Sequence, residues 1–171
     1  MSHAADLQRF VDAQRDTYQT ALRELREGHK RTHWMWYVLP QLRGLGRSAM
    51  AERYGLDDVD EARAYLAHPV LGPRLLECVR AMLHHRTETA EDILGGVDAM
   101  KFRSCLTLFH AIAPGEPCFS NALQVFYEGK PDAETLRLLG SGAINGTGNA
   151  SNNVIWAGDG NNRLDGGSGI D

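Results

Sequence analysis

Signals that start and stop α-helices follow one another through residues 1–139, and they limit the fold more than any other feature of the sequence. Residue types that cap helix N-termini stand directly before stretches whose apolar residues recur every three or four positions. No segment alternates polar and apolar residues over the length of a strand. The sequence therefore predicts an all-α fold, a single compact multi-helix domain with seven to nine helices. The N-caps assigned in this way are Asp16, Ser48, Asp58, Thr89, Asp98 and Asp132.

Composition places the chain among ordinary globular proteins. Of its 171 residues, 43% are hydrophobic and 23% are charged. The net charge of −4 argues against a general nucleic-acid-binding protein. No apolar run approaches the length of a bilayer span, and the first residues lack the apolar stretch of a secretory signal. We therefore expect a cytoplasmic protein that does not enter a membrane, and the sequence does not indicate an oligomeric state.

The cysteines carry no motif. Cys78, Cys105 and Cys118 are widely spaced, and no two of them form a CxxC pair. An odd number of cysteines without a secretory signal predicts reduced thiols that are buried as small hydrophobic side chains, rather than zinc ligands.

A repetitive tail follows the helical region. Glycine and asparagine dominate beyond Gly140, and residues 148–156, 157–165 and 166–171 align with a period of nine. Asn or Asp holds the sixth place of each unit, and an apolar residue holds the eighth where the unit reaches it. This pattern resembles the nonapeptide calcium-binding repeat of haemolysin-type (RTX) proteins. We therefore divide the chain into a helical domain, 1–140, and a repeat tail, 141–171.

The resemblance implies a parallel β-roll in which backbone carbonyls and sixth-place aspartates bind calcium. In this chain the sixth places hold Asn153, Asn162 and Asp171, so two of the three units lack the charged ligand. We expect the tail to be disordered or an incipient β-roll, and the chain to be part of a longer protein. If further repeats follow, the candidate calcium ligands are Asp159, Asn162, Asp165 and Asp171. No other cofactor is indicated.

An aromatic segment dominates the first third of the chain. Residues 33–39 carry apolar or aromatic bulk at nearly every position, including Trp34, Trp36 and Tyr37. On a helix this segment would have no polar face, and on a strand it would be buried on both faces. The pattern leaves helix and strand open, but in either case we expect most of the bulk in the core. Pro40 then ends or kinks the element.

Basic residues surround the aromatic segment. Residues 28–51 contain Lys30, Arg31, Arg43 and Arg47 and no Asp or Glu. Within this range a short glycine loop, 44–48, leads into a predicted helix N-terminus, where free N–H groups and the helix dipole favour an anion. The loop matches neither a Walker nor a Rossmann motif. The alternative interpretation is an ordinary loop in which glycines shape the turn and arginines face water.

Four long segments together resemble the bacterial family catalogued as domain of unknown function 1810. They are DLQRFVDAQ (6–14), KRTHWMWYVLPQLRGLGRS (30–48), ARAYLAHPVLGPRL (62–75) and DAMKFRSCLTLF (98–109). The resemblance covers residues 4–139 and implies a compact, mostly helical bacterial domain without an established reaction. Some members are labelled calpastatin, but the label implies no protease inhibition here.

The family signatures and the basic residues of 28–51, called the basic window below, together define a candidate site. An aromatic face, cationic groups and a helix N-terminus would suit a nucleotide or a phosphorylated metabolite. The candidate ligand-binding residues are His33, Trp36, Gln41, Gly44, Gly46, Arg47, Ser48, Tyr54, His68, Lys101 and Ser104.

Three functions remain open at this point. The first is binding of a small anionic ligand near residues 33–48. The second is an enzyme of unknown reaction in the same pocket, with His33 or His68 as acid–base and Lys101 or Arg47 holding negative charge. The third is an interaction domain of an exported RTX-type calcium-binding protein, secreted without a signal peptide. The three cysteines weigh against this third function, because cysteine is unusual in that class.

The tail generates the first prediction. Calorimetric titration of the 171-residue chain with calcium should show no sub-millimolar binding, because asparagine offers an oxygen without a charge. A variant that carries both Asn153→Asp and Asn162→Asp should bind calcium more tightly than the unchanged chain. Tight binding by the unchanged chain would contradict the prediction.

Overall fold

In the computed structural model, the described residues are 3–139, 145–147 and 163–165. Ten helices lie within the first of these ranges, and they confirm the all-α expectation for the domain. The helices are α1 (His3–Gln14), α2 (Tyr18–Glu27), α3 (Met35–Val38), α4 (Ala49–Tyr54), α5 (Val59–Ala67), α6 (Leu71–Leu83), α7 (Ala90–Leu94), α8 (Gly96–Ile112), α9 (Pro117–Tyr127) and α10 (Ala133–Leu138).

Local capping chemistry sets most helix starts. The side chain of each correctly predicted N-cap accepts a hydrogen bond from the backbone N–H three residues later, at 2.8–3.1 Å. These N-caps are Ser48, Asp58, Thr89 and Asp132. The ten helices exceed the predicted seven to nine by one. The additional helix is α3, a single turn in the aromatic segment, for which the sequence pattern left helix and strand open.

Two predicted starts are wrong. Helix α2 begins after Thr17, which makes no side-chain cap, so Asp16 lies one residue too early. Helix α8 begins before Asp98, because Gly95 adopts a positive φ of 86° that turns the chain directly from α7 into α8. The Asp98 carboxylate lies in the first turn of α8 instead, 2.9 Å from the Lys30 ammonium.

Helix α8 is the centre of the domain and contacts α5, α7, α9 and α10. Phe102 and Phe109 on α8 are fully buried. Phe109 stacks on Phe119 of α9, with 5.7 Å between ring centroids, and lies 5.8 Å from the ring of Tyr65 on α5. Tyr65 in turn meets Phe10 of α1 edge-on at 5.1 Å. A continuous chain of aromatic rings therefore joins four helices.

The aromatic segment is mostly core, as expected. Trp34 is 1% exposed, and Met35, Tyr37 and Val38 are also buried. Trp36 is the partly exposed member, since a single helical turn points successive side chains in different directions. The segment thus serves the core and also presents one indole at the edge of the core.

The buried carboxylate of Glu24 on α2 holds the loop that precedes this turn. It accepts hydrogen bonds from the backbone N–H groups of Arg31 (2.7 Å) and Thr32 (2.9 Å), from the Thr32 hydroxyl (2.7 Å) and from the Trp34 indole (3.1 Å). Burial by itself raises the pKa of Glu24, but these hydrogen bonds outweigh that effect and lower the pKa from 4.5 to about 2.

Helices α5 and α6 meet through backbone atoms at Gly72. A Cβ atom on this residue would lie 2.0 Å from the carbonyl oxygen of Leu66. Any side chain at position 72 would therefore force the two helices apart.

The tail contributes two short strands, β1 (Asn145–Thr147) and β2 (Arg163–Asp165), which pair in parallel. Each residue pairs with the one 18 positions later, as Asn145 does with Arg163, and this offset is twice the nine-residue period. Among the candidate calcium ligands, Asp165 lies in β2, whereas Asp159, Asn162 and Asp171 lie outside the described residues. Calcium coordination therefore stays a prediction.

None of the described helices combines the length and the apolar composition that crossing a bilayer requires.

The Glu24 contacts predict acid sensitivity. Because the carboxylate has a pKa of 4.5 unfolded and about 2 folded, its contribution is fully present above about pH 5 and is lost as the pH falls toward 2. Glu24→Gln should lower the free energy of unfolding at pH 7 by roughly 3 kcal/mol, from the shift at about 1.4 kcal/mol per unit. Urea unfolding between pH 7 and pH 2 should show this difference shrinking in acid.

Glu27→Gln is the matched control, because Glu27 makes an exposed pair with Arg31. It should change stability by less than about 1 kcal/mol. Equal stability of Glu24→Gln and the unchanged chain at pH 7 would rule out the role assigned to Glu24.

Candidate functional site

Four of the predicted ligand-binding residues line one cleft between α3, α4 and α8. They are Trp36, Gln41, Tyr54 and Lys101. The enclosed volume is about 10 Å³, close to the least that holds a single water molecule. The cleft in this conformation is therefore a site for one small group rather than for a whole nucleotide.

Lys101 supplies the positive charge of the cleft. Its ammonium lies 4.9 Å from the centroid of the Trp36 ring and 3.7 Å from the nearer Asp98 oxygen. The other Asp98 oxygen lies 2.9 Å from the Lys30 ammonium, which is 5.0 Å from the centroid of the Trp34 ring. Two cations thus share one carboxylate, and the cluster keeps one net positive charge. The side chain of Lys101 is 22% exposed and that of Lys30 is 7% exposed, so the charge that remains accessible belongs mainly to Lys101.

Gln41 and Tyr54 add neutral donors. Neither the Gln41 amide nor the Tyr54 hydroxyl has a hydrogen-bond partner among the residues that the structure describes. Tyr54 is 7% exposed, and its ring is held edge-on against Tyr37 at 5.2 Å between centroids. The cleft therefore contains fixed polar groups whose hydrogen-bonding capacity the domain itself leaves unused.

The glycine loop lies beside the cleft. A Cβ atom on Gly46 would lie 2.7 Å from that of Ala51 and 3.8 Å from the Gln41 amide nitrogen, so the close approach of the loop to α4 requires glycine here. Gly44 is exposed and has a positive φ of 102°. The Ser48 hydroxyl accepts from the backbone N–H of Ala51 and thereby caps α4.

Acidic residues from outside the basic window lower its positive charge in the folded domain. Lys30 pairs with Asp98 and Arg31 pairs with Glu27, while Arg43 pairs with Asp57. Arg47 is exposed and makes no ion pair with a described residue. Three of the four cations are thus neutralised by acids that lie outside the window.

Three further candidate residues lie outside the lining of the cleft and make structural contacts. His33 is exposed, and its backbone carbonyl accepts from the Tyr37 hydroxyl at 3.3 Å. The His68 Nδ1 accepts from two backbone N–H groups at the start of α6, at 3.1 and 3.2 Å. The buried Ser104 hydroxyl donates to the Met100 carbonyl.

One group of carboxylates among the described residues has the spacing of metal ligands. Asp6, Asp57 and Glu61 bring carboxylate oxygens within 4.8 Å of one another. However, Arg9 lies 2.9 Å from Glu61 and Arg43 pairs with Asp57, so these cations already balance much of the negative charge.

The family model for "Protein of unknown function (DUF1810)" matches residues 4–139. The chain belongs to this family. A crystal structure of the conserved hypothetical protein Rv1873 from Mycobacterium tuberculosis is similar, with 46% sequence identity and a TM-score of 0.77. The similarity covers 78% of this chain and 96% of that chain. No curated protein matches the chain.

This DUF1810 domain keeps its thiols buried, as expected. Cys78, Cys105 and Cys118 are free and buried. Burial raises the pKa of Cys78 and of Cys118 to about 12 and raises that of Cys105 well above its usual range. The thiols are therefore protonated at neutral pH and unsuited to nucleophilic chemistry.

Sequence reasoning missed a second cleft in this domain. It has a volume of about 200 Å³ and lies between α8, α9 and α10. Thr107, His110, Ser120 and Gln124 contribute the polar side chains of its lining. The only sign of this cleft in the sequence was His110, a histidine in a mostly apolar helix. Other lining residues come from two other helices, so no single segment shows the cleft.

The contacts of His68 predict a capping role. His68→Ala should lower the free energy of unfolding by about 1 kcal/mol, because two backbone donors at the start of α6 lose their acceptor. His68→Asn should restore most of the loss, since an amide oxygen also accepts at helix N-termini. Urea unfolding measures both variants, and an undiminished stability of His68→Ala would refute the cap.

Proposed function

We propose that this domain binds a small oxyanion, or the anionic head group of a small metabolite, in the cleft formed by Trp36, Gln41, Tyr54 and Lys101. One observation supports the proposal most directly. The side chains of Gln41, Tyr54 and Lys101 line the same cleft, and none of them makes a hydrogen bond to another described residue. Ammonium, amide and phenol groups all donate to oxygen, and the ammonium adds the charge that favours an anion over water.

The size of the cleft limits the ligand. About 10 Å³ accepts a single oxygen of an anionic group but not a nucleoside. The Lys101 ammonium also covers one face of the Trp36 ring, so a base could stack only on the other face. A phosphorylated or carboxylated metabolite that places one oxygen of its head group in the cleft therefore fits better than a nucleotide.

Binding is favoured over catalysis at this cleft. Among the described residues, no histidine and no carboxylate lines it, so it lacks an evident proton acceptor. His33 and His68, the acid–base candidates, lie outside its lining. A cytoplasmic location would suit a domain with three protonated, buried thiols.

A second candidate function rests on the tail. The 18-residue offset between β1 and β2 equals two nonapeptide units, which favours a repeat region distinct from the helical domain. In that case the helical domain would be an interaction module on a longer RTX-type protein, with the boundary near residue 140. The free cysteines weigh against export.

The anion proposal predicts a lysine-dependent affinity. In calorimetric titrations at low salt, inorganic phosphate or glycerol 3-phosphate should bind the unchanged chain. Lys101→Met keeps most of the side-chain bulk over Trp36 but removes the charge. It should weaken binding by about tenfold or more, as expected for one charge-assisted hydrogen bond. Gln41→Leu should weaken binding by a smaller factor.

Lys130→Met is the matched control. Lys130 is also a partly exposed lysine with a carboxylate partner, Glu128 at 3.2 Å, but it does not line the cleft. The affinity of the Lys130→Met variant for both anions should equal that of the unchanged chain. Absence of anion binding, or equal weakening by the two lysine substitutions, would refute the proposal.

A further inference from the structure

The second cleft lies toward the other end of α8. Lys101 and His110 are nine residues apart on this helix, or about 14 Å along its axis. This second cleft encloses about 200 Å³. The cleft proposed above for an anion, formed by Trp36, Gln41, Tyr54 and Lys101 and called the anion cleft below, encloses about 10 Å³. An apolar cavity of about 150 Å³ is known to hold benzene. The second cleft is therefore large enough for one ring with small substituents.

Unused hydrogen-bonding groups line the cleft. The Nδ1 atom of His110 is buried and has no hydrogen-bond partner among the described residues. The side-chain amide of Gln124 likewise makes no hydrogen bond to the described part of the chain. The Ser120 hydroxyl donates to the Pro117 carbonyl and retains its capacity to accept. A buried polar atom without a partner is costly, so a ligand that reaches the His110 Nδ1 can recover part of that cost, while the exposed Gln124 amide can exchange water for the ligand.

Thr107 in the lining and Arg103 beside it already make hydrogen bonds within the domain. The Thr107 hydroxyl donates to the Arg103 carbonyl and accepts from the Asp132 N–H, both at 2.8 Å. The Arg103 guanidinium donates to the carbonyls of Lys130 and Pro131. These contacts tie the 130–132 segment to α8 and fix the wall of the cleft.

The lining favours an uncharged occupant. Neither a carboxylate nor a lysine or arginine belongs to it within the described residues. Desolvation by burial lowers the pKa of His110, which favours the neutral imidazole. Leu123 and Leu136 supply apolar walls on two sides. A charged ligand would lose hydration here without gaining an opposite charge.

We propose that the cleft between α8, α9 and α10 binds an uncharged ring compound with amide-type polar edges, of the size of a free nucleobase or an aromatic carboxamide. His110 and Gln124 provide the hydrogen bonds, and Leu123 and Leu136 contact the ring. The site is separate from the anion cleft and does not depend on it.

Nicotinamide and nicotinate are a matched pair of probes, because they share a ring and differ in charge at pH 7. In two-dimensional NMR of the labelled 171-residue chain, nicotinamide should shift the His110 ring signals and the Gln124 amide signals. Its affinity should exceed that of nicotinate by at least about tenfold, since the carboxylate is desolvated without a partner.

Two variants separate binding from folding. Gln124→Leu changes an exposed position and should weaken nicotinamide binding by about fivefold or more, as expected for one lost hydrogen bond. His110→Phe keeps the ring volume and should weaken binding by a similar factor. Asn121→Leu, an exposed change on the same helix that does not touch the cleft, should leave binding unchanged.

The proposal fails if nicotinamide shifts no signal in the cleft, or if nicotinate binds equally well. It also fails if Gln124→Leu binds nicotinamide like the unchanged chain. Lys101→Met should bind nicotinamide normally, so a failure at one cleft leaves the result at the other intact.

Discussion

A single buried carboxylate organises the part of the domain that carries the cleft formed by Trp36, Gln41, Tyr54 and Lys101. Glu24 extends from α2 and accepts from two backbone N–H groups, one hydroxyl and one indole. Removing a carboxylate from water is costly, and only this full set of donors compensates for the cost. Because the indole donor is Trp34, the same contact seats α3 against α2. Trp36, two residues later, is thereby presented at the edge of the core, where Lys101 can cover it.

The contacts that sequence can predict are those that span a few residues. Four N-caps were correct because a capping side chain reaches a backbone N–H three positions away. The predicted cap at Asp98 failed because a tertiary contact with Lys30 engages its carboxylate, while Gly95 begins the helix earlier. The basic window was overestimated for the same reason. Its cations are neutralised by acids at positions 27, 57 and 98. Glu27 lies four residues before Arg31, but no rule of local spacing connects Asp57 or Asp98 to the window.

The candidate site was predictable in part. The aromatic segment indicated Trp36, whereas Gln41 and Lys101 entered with the family signatures and not through spacing. His68 was a reasonable acid–base candidate until its Nδ1 was found to accept from the start of α6. The cleft around His110 could not be predicted from the sequence, because its lining residues come together only when three helices pack. Sequence patterns thus locate chemistry that lies along one segment and miss chemistry that the packing of several segments creates.

The contact at Gly72 has a consequence for how this domain tolerates sequence change. The spacing of α5 and α6 is fixed by a backbone atom against a missing side chain, with no room for even a methyl group. Leu76 on α6 is only partly buried, so a change in its volume can be absorbed at the edge of the core without moving the helix. Position 72 has no such freedom. A substitution there displaces a whole helix, whereas a substitution at Leu76 disturbs the packing of one side chain.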